Sequence, residues 1–389
     1  MKKIKTYNQI ALKGLEIFPR DKYEVASEIQ HPDGIVLRSQ KLHDEPLPES
    51  VQAIARAGAG TNNVPVQACS EKGIVVFNTP GANANAVKEL VLAGLLLGCR
   101  GISQSMEYIK GQTAITDGAE LSRLMEKEKK QFKGIELAGK TLGVVGLGAI
   151  GSEVANTALA LGMKVVGYDP AISVEAAWRL SSNVRKMENL QSLLAHSDFI
   201  TLHVPAIDAT KNLINSDSLK SAKKGLVVVN FARAEIVNTA DMVQALQDGT
   251  VGKYVSDFPS PELLPLANAL LMPHIGASTN EAEENCAVMA ATQMVDFLEN
   301  GNIKNSVNFP NIHMERNGGH RITFANNNVS GVLGQVLSVL AERNINVVDM
   351  LNRSRNDLAY NILDVEQQPS EDVLAEIKAV EHVINVRAL

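Results

Sequence analysis

From about residue 140 the chain alternates short runs of apolar, mostly β-branched residues with segments whose apolar positions recur at helical spacing. The strand-like runs are TLGVVG, KVVGYD, DFITLHV, GLVVVN and GKYVSDF, and helical stretches such as SEVANTALALG separate them. Short apolar strands joined through helices predict right-handed βαβ units and a parallel sheet covered on both faces. We therefore predict a doubly wound α/β domain.

The first hundred residues repeat this alternation on a smaller scale. GIVLRS, AIARAGAG and GIVVFN are short apolar runs, each followed by polar or glycine-containing turns. They predict a smaller, flavodoxin-like α/β domain. Because a helical segment at 280–301 can return the chain to it, we predict a discontinuous substrate-binding domain of residues 1–96 and 285–312, and a dinucleotide-binding domain of residues 97–284.

From about residue 320 the pattern changes. The strand-like runs HRITFAN, INVVDMLNRSR, AYNILDVE and HVINVRAL are interrupted by two amphipathic segments, GVLGQVLSVLAER and SEDVLAEIKAV, and Ser370 is placed to cap the second helix. The order βαββαβ is the ferredoxin-like plan. Residues 309–319, FPNIHMERNGG, break both periodicities and predict a linker, so the third domain spans residues 320–389.

Composition limits the classes of function. The 389 residues with 45% apolar content suit two or three globular domains. A net charge of −6 with mixed signs gives no basic face for nucleic acid or for a membrane surface. The N-terminus has no continuous apolar signal segment, and Cys69, Cys99 and Cys286 have no metal-ligand or CxxC spacing. We expect a cytoplasmic protein with inert cysteines and no bound metal.

The segment VVGLGAIGSEVA places Gly146, Gly148 and Gly151 between a strand and a helix. In that context the first glycine ends the strand, the second lets the backbone approach a pyrophosphate, and the third lets the helix pack closely. Asp169, at the end of the next strand, can accept hydrogen bonds from an adenosine ribose and would repel a 2′-phosphate. The sequence therefore predicts a Rossmann-type site for NAD rather than NADP.

Three later strand ends carry residues suited to hydride transfer from an alcohol. Arg233 follows one strand, Asp257 and Glu262 follow another, and His274 lies in the turn PHIG. The reaction needs a base for the hydroxyl proton and a cation for a neighbouring carboxylate, and ligands of such sheets bind at the carboxyl ends of strands. Taken singly, the residues are more typical of other roles: the arginine of a surface ion pair, the glutamate of a solvated carboxylate and the histidine of a structural residue.

The ordered series GLGAIG, HVPAIDATKNLI, VNFAR, VSDF and PHIGAST resembles the D-isomer-specific 2-hydroxyacid dehydrogenase family over residues 1–312. The resemblance implies that Arg233 binds the substrate carboxylate, that His274 is the acid/base and that Glu262 hydrogen-bonds His274. Glu262 is assigned by its spacing from Arg233. Here Pro261 precedes this glutamate, where the family usually has a proline after it.

The same resemblance implies a set of cofactor residues. Asp257 would take the nicotinamide carboxamide. The other implied cofactor residues are Thr79, Gly146, Gly148, Ala149, Ile150, Gly151, Asp169, Val204, Pro205, Phe231, Ala232, His274, Gly276 and Ala277.

In the first domain, the segment ARAGAGTNNV offers candidates for binding substrate. The backbone amides of Gly58, Ala59 and Gly60 can hold a carboxylate, and the guanidinium of Arg56 suits a phosphate. A glycine turn with a surface arginine accounts for the same residues equally well. Asn83 is a further candidate substrate contact.

The C-terminal βαββαβ unit resembles the ACT domain, a regulatory module that binds amino acids. The segment NNNVSGVL matches its effector loop, which places Asn326 and Asn328 there, and Asn346 occupies a matching position at the start of the next strand. Loop and cap asparagines are an equally good explanation of these residues. The combination of module and core is similar to the branch of the family that oxidises 3-phosphoglycerate, which implies L-serine as effector and a homodimer or homotetramer.

Two alternatives stay open at this point. The enzyme can act on another 2-hydroxy acid, such as glycerate with hydroxypyruvate as its oxidised form, and Arg56 would then have no phosphate to bind. The fold also serves non-catalytic, NAD-responsive corepressors, although the joint presence of Arg233, Glu262 and His274 favours an enzyme.

Overall fold

The computed structural model describes all residues, Met1–Leu389, and the chain forms two compact units. Unit 1 comprises Met1–Asn83 and Thr279–Leu389, and unit 2 comprises Ala84–Ser278. Within unit 1 we distinguish an N-terminal module, residues 1–83 and 279–319, from a C-terminal module, residues 320–389. The boundaries drawn from the sequence between the first two domains stay predictions.

The N-terminal module contains a five-stranded parallel sheet. Its elements are β1 (Lys2–Thr6), α1 (Leu12–Leu15), β2 (Tyr23–Ala26), β3 (Gly34–Leu37), β4 (Ala53–Arg56), α2 (Val66–Glu71) and β5 (Val75–Phe77). The strand order β2-β1-β3-β4-β5 is the flavodoxin-like order, which confirms the predicted fold. Strands β3 and β5 are buried along their whole length, as expected for strands covered on both faces.

Unit 2 contains a seven-stranded parallel sheet with the strand order β12-β11-β10-β9-β6-β7-β8. The strands β7 and β8 lie on one side of β6 and the strands β9 to β12 on the other, which confirms the Rossmann-type doubly wound fold. Its strands are β6 (Thr141–Val145), β7 (Lys164–Tyr168), β8 (Arg185–Lys186), β9 (Phe199–Leu202), β10 (Leu226–Asn230), β11 (Val251–Ser256) and β12 (Ala269–Leu271). Its helices are α3 (Ala84–Cys99), α4 (Ile102–Lys110), α5 (Gly118–Glu128), α6 (Ala149–Ala160), α7 (Val174–Arg179), α8 (Leu190–His196), α9 (Ser216–Leu219) and α10 (Thr239–Asp248).

The most apolar helix, α3, packs inside unit 2. Its Gly94 and Gly98 lie close to side chains of β10 and to the Phe231 ring that follows this strand. The absence of a Cβ at both positions lets the helix approach the sheet this closely. None of the helices in the chain combines the length and the apolar character that a membrane span requires.

The predicted helix at 280–301 is confirmed as α11 (Asn280–Asn300). Thr279 caps its start by accepting a hydrogen bond from the Ala282 N–H at 3.1 Å, and Gly301 ends it in the left-handed conformation with φ of +72°. Its buried side packs on the five-stranded sheet, so it forms part of the N-terminal module's core.

The C-terminal module is an antiparallel sheet with two helices on one face, the predicted ferredoxin-like plan. Its elements are β13 (His320–Asn327), α12 (Val332–Glu342), β14 (Val347–Arg355), β15 (Leu358–Val365), α13 (Glu371–Ala379) and β16 (Val383–Ala388). The sheet order is β14-β15-β13-β16. Ser370 caps α13 by accepting a hydrogen bond from the Val373 N–H, as predicted.

The second face of this sheet packs against the N-terminal module. Tyr360 and Ile362 of β15 share one buried cluster with Phe297 of α11 and Phe309, and the rings of Tyr360 and Phe309 lie 6.1 Å apart. The interpretation of residues 309–319 as a linker is therefore wrong for the first half. Phe309, Ile312 and Met314 are buried in that cluster, and only the residues from Glu315 to Gly319 are exposed throughout.

A buried ion pair lies beside this interface. The Arg321 guanidinium is fully buried and donates to both carboxylate oxygens of Asp364, at 2.6 and 2.8 Å. It also donates to the carbonyl oxygens of Asn300, Met314 and Glu315 at 2.9 to 3.0 Å. Each of its five N–H groups therefore has a partner, which is what a buried arginine requires.

Candidate active site

The glycine loop joins β6 to α6. It lies at the switch point of the seven-stranded sheet, where the strands that follow β6 along the chain are added first on one side of it and then on the other. Gly146 has φ of +88°, and a Cβ on Gly151 would collide with the Gly146 carbonyl oxygen. A Cβ on Gly148, in contrast, would have no atom within 4 Å. The fold itself requires the first and third glycines, whereas Gly148 faces the open space that the sequence predicts for a pyrophosphate.

Asp169 is tied to this loop. Its two carboxylate oxygens accept hydrogen bonds from the Leu147 N–H at 2.8 Å and the Ala171 N–H at 2.9 Å. The carboxylate therefore has a fixed position at the end of β7, next to the loop, where a ribose-binding acid is expected.

Two alanine substitutions should separate these roles of the glycines. We expect Gly148→Ala to fold normally, because its φ of −66° suits alanine, and to weaken NAD+ binding by about tenfold or more, because the methyl group occupies the space left for the cofactor. Gly151→Ala should lower stability by about 1–3 kcal/mol through overpacking. Calorimetric titration with NAD+ and thermal unfolding measure the two effects. An unchanged NAD+ affinity in Gly148→Ala would contradict the placement of the cofactor.

Asp257 follows β11 and is fully buried. Its Oδ2 accepts a hydrogen bond from the Gly276 N–H at 2.9 Å, whereas its Oδ1 is buried without a partner. Burial raises the pKa of this carboxyl group, and the Gly276 N–H and the charges of His274 and Arg233 oppose that shift. A buried acceptor with no donor costs about 1–3 kcal/mol, so the atom fits an incoming amide N–H such as that of a nicotinamide carboxamide.

His274 follows β12 and has an exposed side chain. Its backbone has φ of +46°, and its N–H donates to the Asp257 carbonyl oxygen at 2.8 Å. The imidazole lies against Phe258, with 4.9 Å between ring centroids. The sequence reasoning missed Phe258, although its place directly after Asp257 was a signal. The backbone of His274 is thus fixed by Asp257 and its ring is packed on Phe258, while the side chain remains exposed to solvent.

Arg233 follows β10 and is exposed, with one Nη donating to the Ala232 carbonyl oxygen at 2.6 Å. The loop that carries it is anchored by Asn230, which is fully buried. The Asn230 amide donates to the Arg233 carbonyl oxygen at 2.9 Å and accepts from the Ala232 N–H at 3.1 Å. Asn230 is a second positioning residue that sequence reasoning missed, although it lies within the motif VNFAR.

Glu262 is exposed and not joined to His274 by a hydrogen bond. A hydrogen bond from its own backbone N–H is the main cause that lowers its pKa, so the carboxylate interacts with its own loop. The buried side chain of Leu263 anchors that loop in the core. The role of Glu262 as partner of the base stays a prediction.

The other predicted cofactor residues of unit 2 occupy the same edge of the sheet. Val204 and Pro205 follow β9, Phe231 and Ala232 follow β10, and Ile150 lies in the first turn of α6. Because β9, β10 and β11 are neighbouring parallel strands, their carboxyl ends form one edge.

In unit 1, Arg56 ends β4 and its loop curls around the guanidinium. The Nε donates to the Arg38 carbonyl oxygen at 3.1 Å and one Nη donates to the Gly60 carbonyl oxygen. A Cβ on Gly58 would lie 3.0 Å from that Nη. Gly58 thus lets the backbone approach the arginine closely.

Two further predicted residues of unit 1 lie in the loop after β5. Thr79 is fully buried, and its N–H donates to the Gly58 carbonyl oxygen at 3.1 Å, which ties this loop to the glycine turn. The Asn83 Oδ1 is buried without a partner. The structure therefore brings Thr79 to the glycine turn that follows Arg56.

The three asparagines predicted to bind an effector do not form one site within a chain. Asn326 lies near the end of β13, where its Oδ1 accepts from the Asn361 amide at 2.8 Å, and Asn328 follows two residues later. Asn346 lies at the opposite end of the sheet and donates to Glu366 at 3.0 Å. One chain therefore supplies Asn326 and Asn328 at one end of the sheet and Asn346 alone at the other.

Two protein-family models match segments of the chain. Residues 93–276 match the family model "D-isomer specific 2-hydroxyacid dehydrogenase, NAD binding domain", and residues 320–382 match the ACT domain model. The chain is 34% identical over 339 residues to the D-3-phosphoglycerate dehydrogenase of Methanocaldococcus jannaschii, covering 85% of this chain and 61% of that protein. It is 32% identical over 382 residues to that of Haemophilus influenzae, covering 94% and 88%.

Among solved structures, the chain is similar to an NAD+-bound 3-phosphoglycerate dehydrogenase from Entamoeba histolytica. The TM-score is 0.62 at 28% sequence identity, and the match covers 79% of this chain and 98% of that one. The chain spans less than two thirds of the length of the first two curated relatives it matches, 61% and 54%. The relatives from Methanocaldococcus and Archaeoglobus therefore contain sequence with no counterpart here.

Proposed function

The chain belongs to the D-isomer-specific 2-hydroxyacid dehydrogenase family, and we propose that its reaction is the NAD+-dependent oxidation of D-3-phosphoglycerate to 3-phosphohydroxypyruvate. The observation that carries the proposal is the edge of the seven-stranded sheet where Arg233, Asp257 and His274 follow the adjacent strands β10, β11 and β12. That edge provides a cation, a buried acceptor and an accessible imidazole for one small molecule.

The residues at this edge fit NAD+. Gly148 leaves space beside the helix N-terminus, the Asp169 carboxylate is fixed next to the loop, and the Asp257 Oδ1 lacks a donor. When bound, NAD+ supplies the acceptor for the hydride. Asp257 would hold the carboxamide, which fixes the orientation of the ring against the substrate.

The chemical roles follow from these side chains. In the oxidation, the substrate hydroxyl loses its proton to the His274 imidazole while the carbon hydrogen leaves as hydride, which forms the carbonyl. The Arg233 guanidinium would bind the substrate carboxylate and polarise the developing carbonyl oxygen. A histidine imidazole can take up the proton in oxidation and return it in reduction, because its ring nitrogen can both accept and donate a proton.

Arg56 and the glycine turn are the proposed holders of the substrate phosphate. A guanidinium matches a phosphate in geometry and charge, and the turn already keeps this guanidinium in one place. The same residues distinguish the proposed substrate from glycerate, which lacks the phosphate.

We propose L-serine as an effector at the ACT domain. The separation of Asn328 and Asn346 at opposite ends of one sheet favours a site shared by two copies of the chain, and hence a homodimer or homotetramer.

A substrate panel tests this function. We expect purified protein with NAD+ at alkaline pH to form NADH from D-3-phosphoglycerate with kcat/KM at least about tenfold above that for D-glycerate, because glycerate loses the phosphate contacts. Arg56→Gln should lower kcat/KM for the phosphorylated substrate and leave that for glycerate unchanged. Addition of L-serine to the same assay tests the effector. Equal turnover of both acids would contradict the proposed role of the substrate phosphate. Turnover of neither acid would contradict D-3-phosphoglycerate as the substrate.

A further inference from the structure

A cleft with a volume of about 790 Å³ opens within unit 1, between the N-terminal and C-terminal modules. Strands β1 and β2 and the end of α11 form one side, and β16 with the start of α13 forms the other. Its volume is in the range of small-molecule pockets. It contains none of the residues assigned above to the cofactor, the substrate or the effector.

Two cations from different modules face this cleft. Lys2 of β1 donates to the Leu298 carbonyl oxygen. The Arg387 guanidinium of β16 lies 4.0 Å above the Phe297 ring and donates to the Gln52 Oε1 at 2.8 Å. Neither cation forms an ion pair with a carboxylate, although both are partly buried.

The two positive charges act on each other. Burial lowers the pKa of Lys2 and the charge of Arg387 lowers it further, while the charges of Glu299 and Asp33 oppose that shift. Partly buried cations are normally compensated by an anion, because removing them from water is costly. Here both cations donate to backbone carbonyl oxygens at the end of α11, which carry only partial charge, and neither has a carboxylate within ion-pair distance.

Both side chains also retain hydrogen-bond donors. Lys2 has three N–H groups and uses one, on Leu298. Arg387 has five and uses three, on Gln52, on the Phe297 carbonyl oxygen and on the Tyr360 hydroxyl. The hydrogen bonds to the carbonyl oxygens of Phe297 and Leu298 are explained by capping of α11. The remaining N–H groups of Lys2 and Arg387 are available to a ligand.

The carboxylates of the cleft do not neutralise the pair. Glu299 is engaged by Lys22 at 3.3 Å and by the Tyr23 hydroxyl at 3.1 Å. Asp21 and Glu371 are exposed. Lys2 and Arg387, one from each module, thus have no carboxylate within ion-pair distance, and the amino group of Met1 is a further cation of the cleft.

We propose that this cleft binds a small oxyanion, the carboxylate or phosphate group of a metabolite, between Lys2 and Arg387. Each module supplies one of the two cations, so the ligand bridges them. Binding would stabilise the contact between the modules by mass action.

Calorimetric titration of the full chain tests the proposal, with inorganic phosphate and malonate as probes at constant ionic strength. We expect one or both to bind, and Lys2→Gln and Arg387→Gln each to weaken that binding by about tenfold or more, since each removes a charge-assisted hydrogen bond. The matched controls Lys3→Gln and Arg353→Gln remove exposed charges outside the cleft and should bind as the unaltered chain does. Binding of phosphate but not of malonate would indicate that the natural ligand carries a phosphate group. Binding of malonate would indicate that it carries a carboxylate.

A measurement on the unaltered chain covers the case in which a variant fails to fold. Amine-reactive labelling followed by peptide mass spectrometry should show that the bound probe protects Lys2 and leaves Lys3 reactive. Arg56→Gln serves as a further comparison, because phosphate held at the glycine turn would be lost in that variant alone. No binding of either probe, binding lost only in Arg56→Gln, or unprotected Lys2 would each overturn the proposal.

Discussion

Replacing His274 with asparagine is expected to lower kcat for the oxidation by about 10²- to 10⁴-fold, because the reaction then has no base for the hydroxyl proton. Asparagine suits the φ of +46° at this position, since its short polar side chain tolerates the left-handed region. The backbone hydrogen bond to Asp257 should therefore persist, and the effect isolates the imidazole. Steady-state NADH formation and calorimetric titration with NAD+ measure it, with little change expected in the NAD+ affinity.

His196→Asn is the matched control for this substitution. His196 is exposed at the end of α8, and its ring contacts only the Ser192 carbonyl oxygen at 2.7 Å. We expect its kcat to equal that of the unaltered chain. If His274→Asn retained activity within about threefold, His274 would not be the base. The non-catalytic alternative would then return if no 2-hydroxy acid were oxidised at all.

Replacing Arg321 with methionine is expected to destabilise the C-terminal module by about 3–5 kcal/mol, because it leaves the buried Asp364 carboxylate without its partner. Three backbone carbonyl oxygens lose their donors as well. Hydrogen exchange measures the local free energy of opening, so β13 and β15 should lose protection by that amount. Peptides from β6 and β9 in unit 2 provide the internal reference.

The double substitution of Arg321 by methionine and Asp364 by leucine is the control. It removes both charges together, and an apolar pair of similar volume is often neutral, so most of the lost protection should return. If the single variant exchanged like the unaltered chain, the ion pair would contribute little to stability. Equal losses in the single and double variants would assign the effect to the carbonyl contacts instead.

The parallel sheets and the glycine loop were predictable because their signals are local. Runs such as LVVVN are buried on both faces, and Gly146 and Gly151 contact each other closely within one turn, whereas Gly148 faces open space. The ferredoxin-like order was predictable for the same reason. Each of its strands and helices has its own period, and Ser370 marks a helix start.

What was missed depends on contacts between distant segments. Pro310 and the glycine pair within residues 309–319 conceal three apolar residues whose partners lie on α11 and β15. Phe258 contacts His274, which only the folded loops bring close. Asn230 is the exception, because its partners Ala232 and Arg233 lie in the same loop. Glu262 was assigned by spacing, and spacing cannot determine the direction of an exposed side chain on a loop without regular structure.

The shared cluster of Phe297, Phe309, Tyr360 and Ile362 bears on how such a protein can be cut or recombined. A chain ending at residue 319 would uncover Phe297 and Phe309, and a chain starting at residue 320 would leave one face of its sheet uncovered. Exposed apolar patches of this kind promote aggregation. Gene fusions or deletions at the glycine pair Gly318-Gly319 would therefore have to include compensating changes on both newly exposed surfaces, even though that point in the sequence resembles a convenient junction.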